Sequence, residues 1–348
     1  MCVLTFLRLV VEGEHSDVVM AAYVDALGDA SVIRYGELPD PVAGAGQVLV
    51  RVEAVTVNNV DIYLRSGRWH TEVSFPLVLG RDLVGTVAAV GAGVTGVEPG
   101  RRVWTNSAGY GGRPGATAEL VVVERDRLYR LPAGADPVAF VAAVHPGATA
   151  HGALLGRARL HRGETVAVIG ANGAVGMCMV QVAAASGAHV VAVVRDRRAE
   201  SRLRALGAER VMVAEAAAAL EPARAAAADG LDLLVDTTGR VDVAEAPDQI
   251  NPRGRVVLIA GHGRLSLDMW RLYTREIQLL GFVMSRMTVT ELAAAAGWIN
   301  ETYPEHPLSV VVGTVMNFAE AEQAHALVES GQLPRTADGM VGRIVLRP

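Results

Sequence analysis

The stretch VAVIGANGAVGMCMVQVAAASG contains the residues with the clearest chemical potential in the chain. Small residues stand between an apolar run and an alanine-rich run, as the backbone requires where a strand turns tightly into a helix. Such a turn can be structural only, but its strand–loop–helix context favours a dinucleotide loop, with backbone N–H groups against a pyrophosphate. The motif carries alanine at its first glycine position. The predicted cofactor loop contains Gly170, Ala171, Asn172, Gly173, Ala174, Val175 and Gly176.

The end of the next apolar run, HVVAVV, bears on which dinucleotide fits. A carboxylate about 20 residues after the loop suits the ribose of NAD, whereas guanidinium groups suit the 2′-phosphate of NADP. Arg195, Arg197 and Arg198 follow this run. These arginines could be only the solvated start of a helix, and Asp196 could cap that helix or face the ribose. The pattern favours NADPH, with Arg195 and Arg198 at the phosphate.

A charged pair, Arg81 and Asp82, interrupts the apolar run FPLVLGRDLVGTV. Buried charges are costly unless they are paired and hydrogen-bonded. Neighbours on a strand point to opposite faces, so the two side chains cannot simply satisfy each other. The pair indicates either an exposed edge strand or a functional site.

Composition limits what these residues can belong to. The 348 residues suffice for two domains, and 51% apolar content with 37 glycines suits an α/β protein. A net charge of −5 argues against nucleic acid as a partner. All 32 residues in the Lys+Arg count are arginine, which excludes a lysine nucleophile. Two cysteines, Cys2 and Cys178, exclude a disulfide framework and a cysteine-rich zinc lobe, and a cytoplasmic location is expected.

The order of elements predicts two domains. We expect residues 1–19 to be a loose extension, because they match neither a signal peptide nor a membrane span. Short β-like runs separated by glycine and proline then predict a barrel-like antiparallel domain. Strand–helix alternation from residue 146 predicts a doubly wound parallel sheet. Strand signals return near the end, so the predicted domains are 20–145 with 305–348, and 146–304.

An ordered set of motifs resembles the medium-chain dehydrogenase/reductase superfamily. The set is VNNVDIYLRSG (57–67), RRVWTNSAGYGGRPGATAELVVV, HPGATAHGALL, GANGAVG and GRIVLRP. From Met20 onward the chain is most similar to the zinc-free quinone oxidoreductase branch, the zeta-crystallin-like proteins. The resemblance implies a GroES-like β-barrel catalytic domain, a Rossmann domain, a cleft with nicotinamide at its floor, and a homodimer or a multiple of it.

The resemblance also implies a set of site residues. Asn58, Asp61 and Tyr63 correspond to the substrate-side loop, in which Asn59 replaces a frequent proline. Tyr63 could orient or protonate the acceptor, pack under the cofactor, or make a structural hydrogen bond.

The remaining predicted residues lie on the cofactor side. Thr149 corresponds to a position near the nicotinamide, and Arg343 is either near the cofactor or a plain surface charge. Strand ends line the crevice of an open α/β sheet, which adds Thr238, Ala260, Gly261, His262, Gly281, Phe282 and Val283.

Zinc-dependent relatives have metal ligands at positions that correspond to Asn58, Arg81 and His145. Arginine cannot act as a ligand, and one histidine does not make the three-ligand site that catalytic zinc needs. We therefore predict no metal, with His145 lining the cleft or simply packed. Arg81 is expected to pair with a carboxylate, Asp61 being one candidate, in the space of the lost metal.

Three hypotheses about function follow. Without a Lewis acid, quinones and activated enones are easier hydride acceptors, because conjugation spreads the arriving charge. The first hypothesis is an NADPH-dependent quinone oxidoreductase. The second is an enone or enoyl reductase that tailors a biosynthetic intermediate, and the third is an NADPH-binding structural or regulatory protein with little turnover. The expected partner is a small-molecule acceptor, without nucleic acid or membrane.

Overall fold

Residues 18–261 and 264–348 are described by a computed structural model, and they contain sixteen strands. The first eight are β1 Val18–Val24, β2 Arg34–Pro39, β3 Gln47–Thr56, β4 Leu77–Val78, β5 Asp82–Val90, β6 Arg102–Thr105, β7 Leu120–Glu124 and β8 Tyr129–Arg130. The next six are β9 Thr165–Ile169, β10 His189–Val194, β11 Arg210–Val213, β12 Leu231–Asp236, β13 Ile250–Leu258 and β14 Gln278–Gly281. The last two are β15 Val312–Asn317 and β16 Arg343–Arg347.

Nine α-helices connect and cover these strands in the same part of the chain. They are α1 Asn59–Arg65, α2 Pro137–His151, α3 Ala174–Ala185, α4 Glu200–Ala205, α5 Leu220–Ala226, α6 Ala246–Gln249, α7 Met269–Thr274, α8 Val289–Thr302 and α9 Ala321–Ser330.

The N-terminal sheets are largely antiparallel. One has the order β2-β1-β4, and the other has the order β15-β16-β3-β5-β6-β8, with β7 also paired to β3. Alternation along β3 buries Val48, Val50 and Val52 in one core, as a strand with one buried face requires. β1 begins at Val18 and pairs with β2 from its first residue. The predicted extension 1–19 is therefore two residues too long, and residues 1–17 lie outside the described part.

The second domain is built on a parallel six-stranded sheet of order β11-β10-β9-β12-β13-β14. All five residues of the central strand β9 are buried, because helices cover both faces of a sheet of this kind. The sheet confirms the predicted doubly wound α/β architecture.

Helix α2 joins the two domains. It begins at Pro137, where the Asp136 carboxylate accepts a hydrogen bond of 2.8 Å from the N–H of Ala139. A π-helix, Gly152–Arg157, continues it without a break. The predicted boundary between residues 145 and 146 therefore lies inside one continuous helix.

The whole segment Pro137–Arg157 is long and apolar enough to span a membrane. In its most apolar window 78% is buried inside the protein, so we interpret it as a core helix that positions residues from both domains.

The C-terminal strands lie in the larger N-terminal sheet. β16 pairs antiparallel with β3 through Val345 and Leu346, and β15 pairs parallel with β16. This pairing places Arg343, the first residue of β16, beside the end of β3, where the cleft begins. The exact limits of the two domains stay a prediction.

Candidate active site

A cavity of about 1020 Å³ lies between the barrel-like domain and the parallel sheet. It is the space in which the two domains face each other, since both contribute to its wall. The predicted residues that line it are Asn58, Tyr63, Thr149, Val175, Ala260, Gly261, Gly281, Phe282, Val283 and Arg343. His145 lines it too, whereas the predicted His262 lies outside the described residues.

A second cavity of about 290 Å³ lies at the glycine loop and the end of β10. Its wall includes the predicted residues Gly170, Asn172, Gly173, Arg195 and Thr238. Thr237 lines both cavities, so the two form neighbouring parts of one crevice. An extended dinucleotide would fit this arrangement, with its adenosine end at the smaller cavity.

Close packing explains the small residues of the loop. Gly170 has a φ of +78°, and a Cβ there would lie 2.5 Å from Oγ1 of Thr237. A Cβ on Gly176 would lie 2.3 Å from the carbonyl oxygen of Gly170. Ala171 is buried and outside the left-handed region, so alanine is tolerated at the first glycine position of the motif.

The N-terminus of α3 is open to an anion. Gly173 is its N-cap residue, no side chain caps the helix, and its first turn contains no acid. The leading N–H groups of a helix have no acceptor within the helix, and its dipole favours negative charge there. The residues present therefore fit the pyrophosphate of a dinucleotide. Asn172 supports the loop from the side, because its Nδ2 donates to the carbonyl oxygen of Gly339 at 3.0 Å.

Three arginines line the smaller cavity: Arg195, Arg240 and Arg335. Sequence reasoning missed two of them. Arg240 directly follows the strand-end loop DTTG, which was a usable signal. Arg335 comes from the C-terminal segment, almost a hundred residues further along, and no local pattern indicates it.

Arg198 does not line this cavity, and its predicted role at the phosphate is corrected. Its Nε donates to Asp196 Oδ2 at 2.9 Å, and its backbone N–H donates to Oδ1 at 3.0 Å. These hydrogen bonds lower the pKa of Asp196. The exposed pair forms because Asp196 caps the short helix that begins at the next residue.

The polar centre of the barrel side is Asp82, which is fully buried. Its Oδ2 accepts hydrogen bonds from Thr56 Oγ1 at 2.7 Å and from Asn58 Nδ2 at 2.8 Å. Its Oδ1 lies 3.1 Å from Nδ1 of His145. Burial alone would raise its pKa, but the charge of His145 and the hydrogen bonds from His145, Asn58 and Thr56 hold the pKa below its ordinary value. Asp82 is therefore an anion inside the protein, aimed at His145.

Asn58 is a positioning residue rather than a group free to bind an acceptor. Its Nδ2 is used by Asp82, and its Oδ1 accepts a hydrogen bond of 2.7 Å from Nη2 of Arg343. Burial lowers the pKa of Arg343, while Asp82 and Asp61 oppose that effect. Arg343 thus forms part of the cleft wall and is not a plain surface charge.

Asp61 lies beneath the cleft and does not line it, which corrects its predicted place on the substrate side. It is 1% exposed, and its Oδ2 accepts from the backbone N–H of Asn58 at 2.7 Å. This contact closes a capping box at the start of α1, which explains why an acid is needed there. Burial and the nearby Asp82 raise the pKa of Asp61 to about 7.

Arg81 points away from the cleft. It is 1% exposed, and its guanidinium carbon lies 5.0 Å from the ring centre of Tyr110. Among the described residues it forms no ion pair within 4 Å, so the expected contact with Asp61 is not made. Burial lowers the pKa of Arg81, and Asp61 and Asp82 oppose that effect from further away. The prediction was wrong because Asp82, not Arg81, has the side chain that reaches the cleft cluster.

The described ranges contain no group of three or more His, Cys, Asp or Glu residues that could hold a metal ion. His145 is engaged by Asp82, and Asn58 by Asp82 and Arg343. The donor set at these positions does not fit a catalytic zinc. Cys178 is fully buried, and burial raises the pKa of its thiol to about 12.

The chain matches two sequence families in the order of its two domains. Residues 44–133 match the alcohol dehydrogenase GroES-like domain, and residues 174–301 match the zinc-binding dehydrogenase family. The quinone oxidoreductase of Mus musculus is 27% identical over 309 residues, covering 88% of this chain and 90% of its own. The acryloyl-coenzyme A reductase of Metallosphaera sedula is 30% identical over 273 residues, covering 70% and 79% respectively.

Solved structures agree with these relatives. AibC superposes with a TM-score of 0.84 at 26% identity, covering 97% of this chain and 99% of its own. Mycobacterial Rv1454c, solved in complex with NADPH, has a TM-score of 0.79 at 27% identity, with coverage of 95% and 100%. Fold, crevice and relatives together define an oxidoreductase with a site for a nicotinamide cofactor. The chain belongs to the medium-chain dehydrogenase/reductase superfamily, and quinone oxidoreductases are among its relatives.

Proposed function

We propose that this oxidoreductase uses NADPH to reduce a quinone or a similar conjugated carbonyl compound without a metal ion. The observation that carries the proposal is the shared cavity, in which the strand-end loops at Ala260 and Gly281 face Tyr63 and His145. When bound, the cofactor supplies a hydride at its nicotinamide ring. The protein holds the two reactants side by side in one cleft, which is the main aid that such a transfer needs.

The choice of NADPH rests on the smaller cavity. Within the described part of the chain, Arg195, Arg240 and Arg335 line it together with one acid, Glu215. Guanidinium groups bind phosphate oxygens through strong, charge-assisted hydrogen bonds. A 2′-phosphate at the ribose would therefore be stabilised. Asp196, the acid that directly follows Arg195 in the sequence, is already paired with Arg198.

The choice of a conjugated acceptor rests on the donor set of the cleft. Arg81 is turned away, and Asn58 and Nδ1 of His145 contact Asp82, so these positions do not form a ligand set for a Lewis-acid metal. A simple ketone would have to carry its developing charge without a Lewis acid, whereas a quinone spreads that charge over its ring.

Reduction of an enoyl thioester is the second candidate function. Arg68, Arg157 and Arg286 line the larger cavity, with Glu291 as the only acid in the part of its wall that is described. A phosphorylated carrier arm on the acceptor would suit these cations, and one relative is an acryloyl-coenzyme A reductase.

An acceptor panel tests the proposal and separates its alternatives. NADPH absorbance is followed with quinones, with simple enones and enals, and with enoyl-coenzyme A thioesters, using a saturated ketone as the matched control. We expect turnover with quinones and little with the saturated ketone. A preference for thioesters would favour the second candidate. Tight NADPH binding without acceptor-dependent oxidation in any arm would contradict both and support a structural or regulatory role.

A further inference from the structure

The contact between His145 and Asp82 has the form of a catalytic dyad. We propose that His145, oriented by Asp82, is the acid that protonates the acceptor when it receives the hydride. This inference rests on the proposed function, since it names the proton donor of the same reaction.

Asp82 fixes the orientation of the imidazole. Its Oδ2 is already occupied by Thr56 and Asn58, so Oδ1 is the oxygen left for Nδ1 of His145, at 3.1 Å. A buried carboxylate accepts hydrogen bonds only, which places a proton on Nδ1 and leaves Nε2 as the second ring nitrogen. His145 lines the large cavity, and no described residue forms a hydrogen bond to Nε2. That nitrogen is therefore available to an acceptor.

Further hydrogen bonds hold the residues around the dyad in place. Thr149, one helical turn further along α2, donates its hydroxyl hydrogen to the carbonyl oxygen of His145 at 2.9 Å. Arg343 holds Asn58 in place from β16, and groups from β3, α2 and the start of α1 converge on the carboxylate of Asp82. A cluster that only filled space would not need an anion at its centre, because burying one is costly.

Other proton-bearing groups on the cavity wall are less well placed. Thr149 has its hydroxyl hydrogen committed to a carbonyl oxygen. Tyr63 lies under the guanidinium of Arg68, whose carbon is 5.0 Å from the ring centre, and His70 is exposed. Neither of these two residues has a carboxylate partner among the described residues. His145 has such a partner in Asp82, which is fully buried.

The proposed reduction of the quinone consumes one hydride and one proton. The acceptor gains two electrons and one hydrogen as a hydride from the reduced cofactor, which is thereby oxidised. As negative charge develops on the quinone oxygen, the Nε2–H bond of the imidazolium breaks and an O–H bond forms. His145 becomes neutral, and water entering the open cavity restores its proton. The sum is NADPH plus a proton plus quinone, giving NADP⁺ and hydroquinone.

Several charged groups near His145 bear on how kcat depends on pH. Asp82 faces the ring directly from β5, while Arg343 and Asp61 lie behind Asn58. Glu291 and Arg157 belong to the same cavity wall on the side of the parallel sheet. The proposed donor is the protonated ring, so a variant without His145 should differ from the unaltered protein in how kcat depends on pH.

The main test compares His145→Gln with a matched histidine variant. His151→Gln removes a histidine from the same helix, and His151 lines a different cavity. General acid catalysis contributes about 10²-fold to 10⁴-fold. We expect His145→Gln to lower kcat with a quinone by at least about 100-fold and to change the dependence of kcat on pH, with the control near the unaltered protein.

A spectroscopic measurement on the cofactor-free protein is independent of turnover. Nitrogen-15 NMR of histidine-labelled protein, with His145→Gln to assign the signal, should show the proton of the neutral ring on Nδ1. Asp82→Asn should change that tautomer ratio and lower kcat with a smaller change in KM. Unaltered kcat and pH profile in His145→Gln, or a neutral ring protonated on Nε2 in the unaltered protein, would overturn the inference. Quinone reduction by NADPH would still support the proposed function in that case, whereas its absence in the unaltered protein would count against the function itself.

Discussion

At the scale of single residues, Asp82 explains more of the cleft than any residue singled out by motif. The sequence showed that a charge in FPLVLGRDLVGTV needed partners, but it did not show which of the two neighbours would face the cleft. The partners of Asp82 come from positions 56, 58 and 145, and only their meeting in space identifies the cluster. Asp61 was read as a substrate-side acid because its helix-capping role and its burial depend on the fold.

Cofactor selectivity is predicted at the same scale. Replacing Arg195 by Glu should weaken NADPH binding about 10-fold to 100-fold, because a charge-assisted hydrogen bond is worth about 1.5–3 kcal/mol. NADH binding should change much less, since it lacks the 2′-phosphate. Isothermal titration with both cofactors measures the two dissociation constants.

Arg197→Gln is the control for this prediction, because Arg197 is exposed and does not line the cavity. An equal loss for both cofactors, or the same effect in the control, would refute the assignment of Arg195 to the phosphate.

At the scale of elements, the edge of the parallel sheet has features of a contact between subunits. β14 is the last strand of the described sheet and pairs with β13 alone. The neighbouring helix α7 exposes Met269, Trp270 and Tyr273, at 68%, 68% and 59%. Exposed apolar patches of this kind and open strand edges mark surfaces that bind a partner. A second copy of the chain is the occupant we expect.

A substitution on α7 tests the expected homodimer. The unaltered protein should have the mass of a dimer by light scattering, and Trp270→Glu should shift it towards the monomer. Val42→Glu is the matched control, because Val42 is 85% exposed on the other domain. A monomeric unaltered protein, or dissociation by the control variant, would contradict the assignment of this surface.

At the scale of the whole molecule, local patterns predicted the architecture well and the long-range contacts poorly. The alternation of strands and helices predicted the parallel sheet, because each βαβ unit is encoded within a short stretch. The domain boundary predicted between residues 145 and 146 falls inside α2, because Pro146 does not end that helix. The position of Arg335 and the contact between His145 and Asp82 were not predicted, for the same reason. Each depends on residues that are far apart in the chain, and a single sequence contains no signal for such contacts.

The central claim is that the cleft transfers hydride to a conjugated acceptor without a metal ion. The most direct measurement is the rate of NADPH oxidation by the preferred acceptor before and after treatment with a zinc chelator, with elemental analysis of both samples. We predict full activity in protein that contains no stoichiometric metal. Activity that is lost on chelation and restored by Zn²⁺ would contradict the account.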